Sequence, residues 1–155
     1  MERVPITREG YIKLQEELTR LTKFERPNNI IAISEARAHG DISENAEYEA
    51  AKERQSFIEG KIAELETRIS YSEIIEPNSG PSDRAIFGCF VTVENLRTNE
   101  QKRYKLVGPY ESAPEEGRLS ISSPIGRSLI GREVGDEIKV KTPGGLQEFE
   151  IVGLE

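Results

Sequence analysis

The chain has 155 residues, 35% of them hydrophobic and 32% charged, a length that suits one ordinary domain or two small ones and excludes a large multidomain enzyme. The apolar share falls below the ~45–50% of compact globular domains, as expected of an elongated element that buries a narrow stripe and exposes the rest. Twenty-eight acidic residues against 21 lysines and arginines give a formal net charge of −7, which argues against a protein that grips nucleic acid unaided.

Residues 1–10 carry no apolar leader run, and no stretch of the chain approaches the ~18 apolar residues of a membrane span, so a soluble cytoplasmic protein without membrane association is expected. From Thr7 to about Glu76 the chain is nearly free of glycine and rich in the strong helix formers Glu, Lys, Arg, Leu and Ala. Leu14, Leu18 and Leu21 recur at steps of four and three, and Ile58, Ile62, Leu65 and Ile69 at four, three and four, the spacing of a coiled-coil seam. Between the two runs, His39-Gly40-Asp41 offers the permissive backbone of a reversal. An antiparallel helical hairpin follows, with arms of about 30 residues, roughly 45 Å each. Pro27 lacks the donor for a helical bond, so a kink or break is expected there, with Pro27 opening the next turn.

Pro77-Asn78-Ser79-Gly80-Pro81 reads as a linker. It divides the chain into a hairpin over residues 1–78 and a second domain over 79–155, both net acidic. Phe87, Cys89, Val91 and Val93 alternate along one run, and Ile138, Val140, Phe149 and Ile151 lie in similar short runs, as strands do. Thr142-Pro143-Gly144-Gly145 marks a hairpin turn, while Ser123, Pro124 and Gly131 mark the cap, first position and stop of a short helix. The fold class is therefore α+β in two domains, an antiparallel coiled-coil hairpin followed by a small antiparallel-sheet domain. Cys89, the only cysteine, can form neither an intramolecular disulfide nor a thiolate cage, and reads as a buried small hydrophobe.

Candidate chemistry concentrates in the string from Glu35 to Tyr48. Asp41 and Glu44 fit a capping box opening the second arm. They equally present hard oxygen ligands to Mg²⁺ while leaving its other positions open. Two carboxylates make a poor metal site alone but a useful half-site if a partner supplies the rest, because two-metal phosphoryl chemistry sets its ions ~3.5–4 Å apart. Arg37, Asn45 and Lys52 flank the pair as support for the tip or as contacts to RNA; a solvated helix charge is the alternative for Arg37, Lys52 and Arg54. Tyr48 reads as packing the turn. The unperturbed pKa of an imidazole lies near neutrality, which invites a general-base role for His39, but a solvent-facing turn residue is the better reading.

The string EARAHGDISENAEYEAAKERQ resembles the signature of the bacterial Gre transcript cleavage factors, in which EAR, GD-x-x-ENAEY and AAKE-x-Q recur across a coiled-coil tip. PITREGYIKLQEEL, the Arg26-Pro27 pair, SPIGRSLIG, VGD and TPGG extend the resemblance over practically the whole chain. The resemblance implies that the coiled coil enters the secondary channel of RNA polymerase. The C-terminal domain, of FK506-binding-protein-like fold, then docks at the channel rim through a surface that includes Ser123, Pro124 and Ile125. It further implies that Asp41 and Glu44 help hold a second Mg²⁺, shared with the polymerase site, and the water that hydrolyses the 3′ end of backtracked RNA. Both acidic positions are present, and Ser43 between them is an ordinary family choice.

On this resemblance the chain is an accessory factor rather than an enzyme. Its partners are RNA polymerase and the nascent RNA 3′ end, with only weak direct DNA contact. A monomer is expected, since the apolar stripe of each arm is consumed by the other. Two alternatives stay open: a channel-occupying regulator or inhibitor that does not stimulate cleavage, and a plain coiled-coil module whose tip carboxylates are caps. An autonomous magnesium nuclease is disfavoured by two carboxylates on an acidic surface. The fold also raises prolyl isomerase activity, but fold alone does not carry function, and Tyr104, Tyr110, Phe87, Phe90 and Phe149 without a tryptophan do not support an aromatic-lined pocket.

Overall fold

The computed structural model describes residues 2–39, 45–76 and 83–155. Residues 11–71 form one compact unit, and the described parts of 1–10 and 72–155 form another. The expected boundary at 78/79 falls outside the described residues.

Helix α1 (Arg8–Arg20) runs into a π-helical turn, Leu21–Glu25, and on into α2 (Arg26–His39); α3 (Asn45–Tyr71) returns along α2. Cross-arm pairs fix the direction: Arg26 meets Glu59, and Arg37 lies over Tyr48, so rising numbers on α2 face falling numbers on α3. The seam closes much as its spacing predicts, with Leu14, Leu21, Ile58, Ile62 and Leu65 buried and Leu18 and Ile69 half-buried. It does not consume all the apolar surface, because Phe24, Ile30, Ile31 and Phe57 stay exposed. Toward the tip the buried positions are small, Ala36 and Ala51.

The break expected at Pro27 is a π turn just ahead of it. The Arg26 N–H donates to the Leu21 carbonyl, five residues back, and Pro27 follows as the second residue of α2. A proline there has no N–H to lose, so widening one turn lets the helix continue where an unbroken α-helix would clash. Thr22 Oγ1 donates to the Leu18 carbonyl at 2.9 Å, and Arg20 bridges Glu17 and Glu25 across the turn.

In the other unit, β1 (Val4–Ile6) pairs in parallel with β2 (Ser72–Ile74). A five-stranded sheet has the order β5-β4-β3-β7-β6, built from β3 (Phe90–Asn95), β4 (Gln101–Val107), β5 (Arg118–Ser120), β6 (Glu137–Thr142) and β7 (Gly145–Leu154). The β3/β4, β3/β7 and β6/β7 pairs are antiparallel, as expected. The β4/β5 pair is parallel, so the sheet is mixed rather than purely antiparallel. Two 3₁₀ turns, Pro109–Glu111 and Pro114–Glu116, carry the chain back before β5 starts, which a two-residue hairpin cannot do.

Alternate residues fill one face: Val91, Val93, Leu106, Leu119, Ile138, Val140, Phe149 and Ile151, joined by Leu129 of α4 (Pro124–Leu129). Cys89 lies in this core, and burial pushes its thiol up despite the Ile86 N–H directed at the sulfur. Phe149 is buried there and Tyr104 packs against it, so these two aromatic rings serve the core. The turn expected at 142–145 closes β6 onto β7, with Thr142 opposite Gly145.

Candidate functional site

Helices α2 and α3 are the stems of the tip. The acidic pair Asp41 and Glu44 lies outside the described residues, between His39, which ends α2, and Asn45, which opens α3. The side chains of His39 and Asn45 are also outside the description. Of the remaining tip candidates, Arg37 sits with its guanidinium 5.9 Å from the centre of the Tyr48 ring, a cation–π contact across the arms. Tyr48 is half-buried, as packing of the turn requires, and Lys52 is exposed on α3.

Arg54, exposed on α3 as a solvated charge would be, also ties the two arms. Its Nη1 donates to Asn29 Oδ1 at 3.0 Å. Asn29 is only 3% exposed, and its Nδ2 donates to the Ala51 carbonyl at 2.8 Å and to Gln55 Oε1 at 2.9 Å. Asn29 is not marked by any motif; its one signal in the sequence is its place one heptad before Ala36, on the seam side of α2. Further from the tip, Arg26 grips Glu59 with two bonds of 2.8 and 2.7 Å, and that hydrogen bonding holds the Glu59 carboxyl below its usual range. On the tip side of these ties runs a shallow groove lined by Ala32, Ala36, Ala50 and Ala51 and by Glu35, Glu47 and Arg54.

Among the described residues, no group of three or more His, Cys, Asp or Glu side chains could hold a metal ion. The donor set of the tip segment, two carboxylates, has the hard-oxygen chemistry that suits Mg²⁺ and leaves most of its coordination to others.

At the other candidate surface, Ser123 caps α4. Its Oγ accepts the Gly126 N–H at 3.1 Å and donates to the Ser120 carbonyl at 2.6 Å. Gly126 must be glycine, because a Cβ there would overlap the Ser120 carbonyl oxygen. Pro124 is exposed at the first helical position, and Ile125 packs against the sheet core. The three residues expected at the docking surface thus also build the helix start, and Pro124 is the one that presents most of itself outward.

The family description "Transcription elongation factor, N-terminal" matches residues 4–74, and "Transcription elongation factor, GreA/GreB, C-term" matches residues 80–155. The chain is 53% identical over 154 residues to the transcription elongation factor GreA of Syntrophobacter fumaroxidans, with 99% of each chain covered. It is 51% identical over 155 residues to GreA of Caulobacter sp., covering 100% of this chain and 99% of that one. Among solved structures it is similar to the GreA factor homolog Gfh1 of Thermus thermophilus, at 29% identity, a TM-score of 0.46 and 99% coverage of both chains. With both halves matched and half the sequence shared along its whole length, this chain belongs to the GreA/GreB family of transcription elongation factors.

Proposed function

We propose that this chain acts on RNA polymerase as a transcript cleavage factor. The hairpin enters the secondary channel, the sheet domain docks at the rim through the start of α4, and the tip carboxylates complete the polymerase's hydrolytic site. One observation carries the reading: Asp41 and Glu44 stand in the short segment joining two helical arms, in a chain 53% identical to a GreA factor.

Asp41 and Glu44 are the residues that would hold Mg²⁺, with polymerase groups, water and RNA phosphate completing its shell. When bound, the ion supplies an activated water and neutralises charge on the phosphate. Hydrolysis adds the water oxygen to phosphorus and expels the 3′ oxygen of the retained RNA. The released fragment keeps the phosphate, and the retained strand regains a 3′ hydroxyl from which synthesis resumes. Lys52 offers an exposed ammonium to RNA phosphate, whereas Arg37, stacked on Tyr48, supports the tip. Asn45 supports the acidic pair from the first position of α3.

The polymerase is the catalyst in this scheme and the chain its accessory. A net charge of −7 leaves direct DNA contact weak. The factor works as a monomer in the cytoplasm, where bacterial transcription takes place; none of the described helices is long and apolar enough to cross a membrane.

The test is cleavage of 3′-labelled RNA in a halted, backtracked bacterial elongation complex. The parent is expected to release a short 3′ fragment, and Asp41→Ala and Glu44→Ala to release little or none while still binding. A parent that binds polymerase and releases nothing would replace this reading with that of a channel-occupying regulator. Degradation of free RNA by protein and Mg²⁺ without polymerase would overturn the accessory role.

A further inference from the structure

We propose that Asn29 is a positioning residue: its side-chain amide fixes the register of α2 against α3 toward the tip, and with it the level at which the two stems end, at His39 and Asn45. The functional part of this inference rests on the cleavage reading above.

Asn29 is the one buried polar side chain of residues 11–71 among those described. Both its polar atoms are used, and every bond goes to the opposite arm: Nδ2 to the Ala51 carbonyl and Gln55 Oε1, and Oδ1 from Arg54 Nη1. On the tip side the buried seam positions are alanine, Ala36 and Ala51, with Ala32 and Ala50 along the same groove and Ile33 and Tyr48 half-buried. A seam of single methyl groups has little relief. Shifting the tip-side stretch of one arm past the other by up to a turn, ~5.4 Å, would set alanine against alanine there at small cost in apolar packing. The same slide would strip Asn29 of its partners and leave a buried amide unsatisfied, a cost of about 1–3 kcal/mol.

Leu21, Ile58, Ile62 and Leu65 hold the end of the seam away from the tip by apolar packing, while toward the tip the register depends more on the polar group than on the alanines, as with a lone asparagine in a coiled-coil core. The neighbouring Arg26–Glu59 pair is exposed on both sides, and exposed pairs are weak and screened by salt. It cannot hold the register alone.

The test compares the parent with Asn29→Leu, and with Arg54→Met/Gln55→Met, which removes two ties from the surface should the leucine variant fold poorly. Nitroxide labels on Ser34→Cys and Glu49→Cys, in a Cys89→Ala background, report the spacing of the arms. The parent is expected to give one narrow distance, and the variants a distribution broadened or displaced by up to about one helical turn, ~5.4 Å. In the backtracked complex, the variants' cleavage rate at saturating factor is expected to fall about tenfold or more, since a misplacement of ~1 Å can cost up to ~10²-fold. The factor concentration giving half the effect should stay at the parental value.

A narrow, parental distance in Asn29→Leu overturns the inference whatever the cleavage result. A displaced distance with a parental saturating rate overturns the positioning of the tip. If the parent itself stimulates no cleavage, the functional reading fails, and the distance measurement still decides the register.

Discussion

The carboxylate of Glu111 accepts hydrogen bonds from both the backbone N–H and the hydroxyl of Thr7, 104 residues earlier in the chain. The same carboxylate accepts the Gly108 N–H at 3.0 Å, and Thr7 Oγ1 accepts the Gly10 N–H of the first turn of α1 at 3.1 Å. One side chain thus closes the start of α1 and the start of a 3₁₀ turn together. Glu111→Ala is expected to lower the urea-unfolding free energy by about 1–3 kcal/mol, and Glu111→Gln by less, since bonds to charged acceptors are the stronger ones. Gly108→Ala tests the same junction sterically. A Cβ there would overlap the Pro5 carbonyl oxygen, so β1 must shift, and a loss of about 1–3 kcal/mol is expected. Unchanged unfolding curves for both variants would show that the N-terminal segment is not held through Glu111.

Acid should destabilise the hairpin through two carboxyls, Glu59 in a pair across the arms and Glu17 in a pair within α1. Hydrogen bonds from Arg26 and Arg20 hold Glu59 and Glu17 below the ordinary glutamate range. Their folded values lie below the unfolded ones, so the stability they contribute is complete above the unfolded value near ~4.3 and is lost as pH falls through the lowered folded values. Thermal melts by circular dichroism are expected to show a midpoint that declines below about pH 4.5, with a smaller decline in Glu59→Gln. Both pairs are exposed, so the effect is modest and shrinks in added salt. A Glu59→Gln slope equal to the parental one would assign the acid sensitivity elsewhere.

Large features of the fold were legible because they rest on repetition. The leucines and isoleucines at steps of three and four placed the seam, and Leu21, Ile58, Ile62 and Leu65 are buried where that spacing puts them. The cap at Ser123 was legible because its serine, proline and glycine each have one local use. The π turn was not, because Pro27 signals only that a bond is missing, and a widened turn satisfies that condition as well as a break does. The parallel β4/β5 pairing was not, because strand direction depends on the path of the connecting turns rather than on residue alternation. The acidic pair rests on a local motif and the resemblance, and lies outside the described residues. Asn29 was missed, because a single asparagine in a helical run has the same composition signal whether it faces water or the opposite arm.

Cys89 gives a chemical readout of the sheet core. Burial pushes its thiol up, and a thiol kept protonated and enclosed is a poor nucleophile. Ellman's reagent is expected to leave the native protein unlabelled over hours at pH 8 and to label one thiol promptly in denaturant. Fast labelling of the native chain would mean that the edge of the core at Ala85–Val91 opens far more readily than its packing implies.

The start of α4 has a structural role and, in the proposed function, a docking role, and the two separate by substitution. Ser123 is tied inward, to the Gly126 N–H and the Ser120 carbonyl, so Ser123→Ala is expected to cost about 1 kcal/mol of stability as a lost helix cap. Pro124 is exposed and makes the first helical position without a donor of its own, so Pro124→Ala should change stability by no more than about 0.5 kcal/mol. If this edge docks on polymerase, Pro124→Ala is expected to weaken binding about fivefold or more, equivalent to about 1 kcal/mol, in a fluorescence titration of labelled factor with polymerase. The saturating cleavage rate should be untouched, because the tip still reaches the same place once the complex forms. A variant that binds as tightly as the parent would move the docking surface away from α4 and leave Ser123, Pro124 and Ile125 with their structural work alone.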